Sequence, residues 1–160
     1  MPNELISTDP IVARNFYLEI DGIGAKLVLS GVSGLEMELD VVPIAQNGAF
    51  GKQQHIKTLG GQLKAGDITI TRMAPADAKA DPLWQWFLRI REKGMKAKSR
   101  ALTRKNGSIV LYDSAFDEVG RFNFFNGWPS KIATDAMSTD SNDPMKENIT
   151  LVVERIERIK

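Results

Sequence analysis

One stretch restricts the fold more than any other. From Leu63 to Ile90, LKAGDITITRMAPADAKADPLWQWFLRI, an alternating strand runs through a polar loop into a helix marked at both ends. Ile68 and Ile70 fall on one face of Asp67 to Met73, and Thr69 and Thr71 on the other, the two-residue period of a half-buried β-strand. Asp81 is placed to accept hydrogen bonds from first-turn N–H groups, Pro82 sits where a missing N–H costs nothing, and Gly94 suits the left-handed turn that ends a helix. Between those caps Leu83, Trp84, Phe87 and Leu88 recur at helical spacing, so an aromatic face packs on something, most economically a sheet. Trp86 points away from Trp84 and is predicted to meet a neighbour.

The rest of the chain reads as strands. Phe16, Leu18 and Ile20 alternate with Tyr17, Glu19 and Asp21, and the pair Asp21 and Gly22 predicts a hairpin into a second run at Leu27 and Leu29. Leu35, Met37, Leu39 and Val41 alternate with Glu36, Glu38 and Asp40, predicting a strand with an apolar core face and an acidic outer face that ends at Pro43. From Pro43 to Gly61 no period is sustained, yet with Ile44, Phe50, Ile56 and Leu59 the segment is not a solvated linker. Apolar side chains in so long a loop predict that it lies against its own domain or another subunit. Past the helix, Lys96, Lys98 and Arg100 alternate with small residues as a strand. Asn106 and Gly107 predict a hairpin turn into Ile109 to Tyr112. A strand then runs from Gly120 to Trp128, where Pro129 stops the ladder or marks an edge. Ser130 to Asp143 reads as a second long loop, and Asn148 to Ile159 as a long closing strand, with a helical spacing of Val152, Ile156 and Ile159 as the lesser alternative. The fold class is therefore mainly β with one α-helix: seven or eight strands in an antiparallel barrel or sandwich, the helix flanking one open end.

At 160 residues and 42% hydrophobic content, the chain is one domain, able to bury roughly 70% of its unfolded surface without staples. The absence of cysteine removes disulfides, thiolate metal sites and cysteine nucleophiles, and leaves the redox compartment open. The N-terminus shows no basic start followed by an apolar run, and no stretch approaches the ~20 apolar residues of a membrane span. Lys and Arg number 21 against 20 Asp and Glu, so no global field favours nucleic acid or anionic lipid.

Chemistry is sparse. His55 is the only histidine, and without a spaced ligand or nucleophile signature it reads as a loop or interface side chain rather than as part of a metal site or a relay. Asp113, Asp117 and Glu118 lack the regular oxygen spacing of a calcium loop and read as a solvated turn. The row Lys96, Lys98 and Arg100, followed by Arg104 and Lys105, is the best candidate for binding a polyanion, but no aromatic residues are interleaved for base stacking. It reads better as a solvated or subunit-facing row, with Glu36, Glu38 and Asp40 as a complementary surface. No catalytic, cofactor-binding or metal-binding residue is assigned.

In this order the elements resemble the tail-tube proteins of contractile injection systems: myovirus-type phage tails, tailocins, extracellular contractile particles and the type VI secretion tube. The marks are Phe16-Tyr17-Leu18-Glu19-Ile20-Asp21-Gly22, Val32-Ser33-Gly34-Leu35, the strand ending at Arg72, the helix with Leu83 and Trp86, the turn Asn126-Gly127-Trp128-Pro129-Ser130-Lys131, and the closing strand Ile149 to Val153. The resemblance implies a β-barrel whose hexameric rings stack into a tube inside a sheath. Its long loop, about 43–61, reaches neighbouring subunits. It further implies self-association, sheath, baseplate and cap proteins as partners, a luminal cargo of DNA or protein effector, no cofactor, and assembly in the cytoplasm of the producing cell into a virion or injection particle. Ile44, Phe50, His55 and Ile56 in the arm, and the charges Glu36, Glu38, Asp40, Lys96, Lys98 and Arg100, are the candidate contacts between subunits or rings. The competing reading is a monomeric β-barrel that binds a ligand or acts as an enzyme, with its pocket under the helix and the long loop as lid.

Overall fold

The computed structural model describes residues 11–23 and 27–160; the polar lead at 1–10 lies outside them. Nine strands are present among the described residues: β1 (Asn15–Ile20), β2 (Gly31–Ser33), β3 (Met37–Asn47), β4 (Gln53–Ala65), β5 (Ile68–Met73), β6 (Lys105–Tyr112), β7 (Glu118–Thr134), β8 (Lys146–Val152) and β9 (Arg155–Arg158). Helix α1 (Pro82–Lys93) and the short α2 (Arg100–Thr103) lie between β5 and β6. All pairings are antiparallel. One sheet runs β1-β6-β7-β9 and the other β7-β8-β5-β2, so the 17-residue β7 belongs to both. Leu18, Ile20, Ile109, Phe124 and Ile156 from the first sheet meet Ile68, Ile70, Ile149 and Leu151 from the second in one buried cluster. The mainly antiparallel β fold with a flanking helix is thus as anticipated. Among the described residues no helix is long and apolar enough to cross a membrane.

α1 begins and ends where its caps predict. The Asp81 carboxylate accepts from the Trp84 N–H at 3.0 Å, Pro82 occupies the first turn, and the Gly94 N–H closes on the Ile90 carbonyl. Its buried face differs from the expected one. Leu83 and Trp86 are the buried residues, with Ile90 one turn on packed against the core, while Trp84 is only half-buried. Trp86 therefore faces inward, because its indole N–H finds the Thr103 carbonyl at 2.8 Å and its ring needs the larger apolar pocket.

Several strand boundaries and partners differ from expectation, each for a local reason. Asp21 and Gly22 turn the chain, but β1 pairs with β6 (Leu18 opposite Ile109), and the Leu27 to Leu29 run is not a strand although Leu27 is buried. Asn106 and Gly107 lie inside β6. Gly107 is glycine because a Cβ there would strike the Phe124 ring and the Glu19 carbonyl, not because the chain turns. The hairpin turn falls instead at Asp113–Asp117, where the Asp113 side chain accepts from the Ala115 and Asp117 N–H groups, both at 2.9 Å. Lys96, Lys98 and Arg100 do not form a strand row. A 3-10 turn at Ala97–Ser99 runs into α2, so these side chains fan out around a helical turn. Pro129 does not stop β7, which continues to Thr134 with a pairing irregularity between Pro129 and Lys131 that accommodates the missing donor; the loop starts only at Asp135. The closing strand breaks at Val153 and Glu154, letting β8 pair with the second half of β7 and β9 with the first.

Candidate assembly surface

The segment read as a strand ending at Pro43 and a long aperiodic loop is one β-hairpin, β3 and β4, closed by a 3-10 turn at Ala49–Gly51. Pro43 sits within β3 opposite Lys57, tolerated because a two-stranded ribbon has an outer edge where no N–H is required. The ladder shifts register between Leu39 and Val41. Opposite it, Gly60 lies against the Asp40 side chain, where a Cβ would collide. Among the described residues β3 pairs only with β4, and the hairpin meets the rest of the molecule chiefly where β4 passes β9.

Following the register, one face carries Met37, Leu39, Val41 and Leu59 near the body and His55 and Lys57 towards the tip. The opposite face carries Glu38, Asp40 and Lys64 near the body, then Val42, Ile44 and Ile56. Both apolar patches are open: Met37 is 58%, Leu39 57% and Leu59 64% exposed, and Val42, Ile44 and Ile56 are exposed as well. The expected core face of this strand therefore faces outward in the lone chain. At the tip Phe50 is fully exposed with φ 65°, a left-handed conformation that costs a non-glycine residue about 1 kcal/mol or more. A two-stranded hairpin is marginal alone in water, and covering the exposed half of each such aliphatic side chain is worth about 1 kcal/mol.

The ten predicted contact residues thus divide. Ile44, Phe50, His55 and Ile56 share the outer part of the hairpin, and all four are exposed. Glu38 and Asp40 share one face at its base, where Asp40 pairs with Lys64 at 3.5 Å, and Glu36 precedes β3, its carbonyl accepting from the Gly66 N–H at 3.3 Å. Lys96, Lys98 and Arg100 lie apart on the 3-10 turn and α2, with Arg100 paired to Glu154 at 3.5 Å.

Sequence reasoning missed the charged cluster that seats the helix. Arg72 donates to both carboxylate oxygens of Asp81 at 2.7 and 2.6 Å and to Glu147 at 3.3 Å, and the Trp84 indole N–H also reaches Glu147. All three charged side chains are buried. Burial opposes ionisation of Asp81, but hydrogen bonds from Arg72 and from the Trp84 N–H outweigh it and hold its pKa below the ordinary carboxylate value. Burial likewise opposes the Arg72 charge and is overcome by Asp81, then Glu147, so its pKa is raised. The signal was present as an inward Arg in register with Ile68 and Ile70, nine residues before Asp81, but Asp81 was read only as a helix cap and the third member, Glu147, lies 75 residues away.

The hollow beneath α1, lined by Gly22, Ile23, Trp86, Arg89 and Lys105 among others, measures about 160 Å³, well under the roughly 300 Å³ at which ligand pockets begin. Residues 12–157 match the family model described as "T4-like virus tail tube protein gp19". The chain belongs to this tail tube family. Comparison with the curated proteins gives no match. Among solved structures, this tail tube protein is similar to a chain of the anti-feeding prophage (AFP) baseplate, 6-fold symmetrised, with TM-score 0.76, 17% identity, and 95% of this chain and 97% of that chain covered. A chain of the extracellular contractile injection system described as "PVC sheath/tube terminator in extended state" gives TM-score 0.73 at 21% identity, covering 96% and 99%. The PVC sheath-tube complex in the extended state gives 0.67 at 21%, covering 93% and 90%. At these identities the structural likeness speaks for the tail-tube fold, and the family match for a tube protein.

Proposed function

We propose that this tail tube protein is the repeating, non-enzymatic subunit of the inner tube of a contractile injection system or contractile phage tail, one domain over residues 1–160 with the hairpin as its arm. Six copies form a ring, and rings stack into a hollow tube that is driven through a target envelope and conducts DNA or a protein effector. The six-fold symmetry of the baseplate to which a similar chain belongs, and the sheath-tube and terminator assemblies of the others, support hexameric rings with sheath, baseplate and cap proteins as partners. Assembly in the producing cell's cytoplasm, before release as part of a virion or particle, goes with that role.

The observation that carries this reading is the hairpin Met37–Ala65, which offers uncovered apolar patches on both faces and pairs with no other strand. Ile44, Phe50, His55 and Ile56 contact an adjacent subunit or ring. Glu36, Glu38 and Lys98 add charge pairing between copies, while Asp40 and Arg100 already hold partners within the chain. The edges of β1 and β2, unpaired among the described residues, are joints at which sheets of neighbouring copies continue one another. Negative-stain microscopy of the chain co-expressed with sheath and baseplate proteins tests the reading: hollow tubes are expected. Deleting Gln46 to Thr58 should leave a folded subunit that does not stack, and normal-length tubes from that deletion would sink the assignment of the arm.

A further inference from the structure

The two ends of β5 carry surfaces that complement one another. The hairpin is connected to the Ile68 end through Ala65 and Gly66, whereas at the other end Met73 pairs with Lys146 and the Ala74 N–H bonds the Met145 carbonyl at 2.8 Å. At a rise of about 3.4 Å per residue these ends are roughly 17 Å apart. The outer hairpin is purely cationic: no Asp or Glu occurs between Val41 and Gly66, while Lys52, Lys57 and His55 flank the exposed Phe50. The loop at the far end, residues 135–145, is purely anionic, with Asp135, Asp140 and Asp143 and no Lys or Arg. Asp135 accepts from the Asn148 amide at 2.9 Å, whereas Asp140 and Asp143 form no ion pair among the described residues. The loop also forms a concavity of about 250 Å³ that includes Met137 and Met145, both exposed, and that Asp135, Asp143 and the following Lys146 also line, so its carboxylates outnumber its one cation. A cavity of roughly 150 Å³ suffices for a benzene ring, and methionine sulfur packs favourably against aromatic rings.

We propose that the hairpin tip of one copy docks head-to-tail into the 135–145 loop of a second copy, with Phe50 entering the Met137 and Met145 concavity and Lys52 and Lys57 facing Asp140 and Asp143. Phe50 is fully exposed, so the tip is not seated on the loop of its own chain, and a donor and a receptor repeated between molecules give an open polymer. Covering by the ring also accounts for a phenylalanine held at positive φ, since a rigid aromatic projecting from a turn is an anchor. The proposal deepens the tube reading and rests on it.

The absence of cysteine makes the test clean. Tubes assembled from the Phe50→Cys, Met137→Cys double variant should oxidise to a ladder of covalent multimers, and tubes of either single variant should not. Independently, Lys52→Glu with Lys57→Glu, and Asp140→Lys with Asp143→Lys, should each reduce the assembled fraction by about tenfold or more, through like-charge juxtaposition. Combining the four should restore assembly. These positions are at the surface, and an unchanged thermal melt of the unassembled subunit confirms folding. Normal tubes without the ladder, or cross-linking of Phe50→Cys to sheath protein instead, overturn the docking while leaving the tube reading intact. Failure of all four charge changes together to assemble, with each pair also blocked, overturns it too. Absence of any tube from the unmodified chain overturns both.

Discussion

Arg72 shows how one side chain joins the two halves of the strand-to-helix transition. It lies in the buried register of β5, and its guanidinium holds the N-cap carboxylate of α1 on one side and Glu147 of β8 on the other. A buried ion pair is a weak source of net stability when intact, but deleting one member strands the rest. Arg72→Ala should therefore cost about 3–5 kcal/mol in urea unfolding of the unassembled subunit, because Asp81 and Glu147 remain in a dry site without their counter-charge. A conservative Arg72→Lys would keep charge and lose the two-pronged contact. The same cluster sets an acid limit. Asp81 has a lowered pKa in the folded state, so its contribution is fully present above the unfolded-state value near 4 and is lost as pH falls through the lower folded value. Melting temperature should thus hold down to about pH 4 and drop below it, and Asp81→Asn should flatten that acid decline.

At the scale of elements, the hairpin has surfaces that do no work in the isolated chain. Ile44→Ser with Ile56→Ser should change subunit stability by no more than about 0.5 kcal/mol, as expected for exposed positions, while preventing stacking as seen by microscopy. Which elements were legible beforehand follows from where their causes lie. α1 was readable to the residue because Asp81, Pro82 and Gly94 act within one turn of its ends. β1 and β5 were readable because their alternation is local and half-buried. Gly107 misled because its glycine answers to Phe124 of another strand, and Lys96 to Arg100 misled because an alternating pattern that buries nothing also suits a helical turn. The hairpin hid itself: with both faces awaiting partners, apolar residues sit on each, and the two-residue period vanishes. The proposed contacts Ile44, Phe50, His55 and Ile56 were therefore read as parts of a loop, whereas they sit on a two-stranded hairpin and its turn, where all four are exposed.

For the whole molecule, fold and assembly share one economy of open edges and uncovered ribbon. The family match spans residues 12–157, so the hairpin, the helix and both sheets belong to the inherited unit rather than to an appended device. β7 runs unbroken through both sheets, exchanging β6 and β9 for β8 between Gly127 and Trp128. A thrust along such a strand is carried by covalent backbone, whereas two sheets merely packed face to face would yield by sliding. The subunit therefore resists shear between its layers by continuity of the chain as well as by the packing of its core.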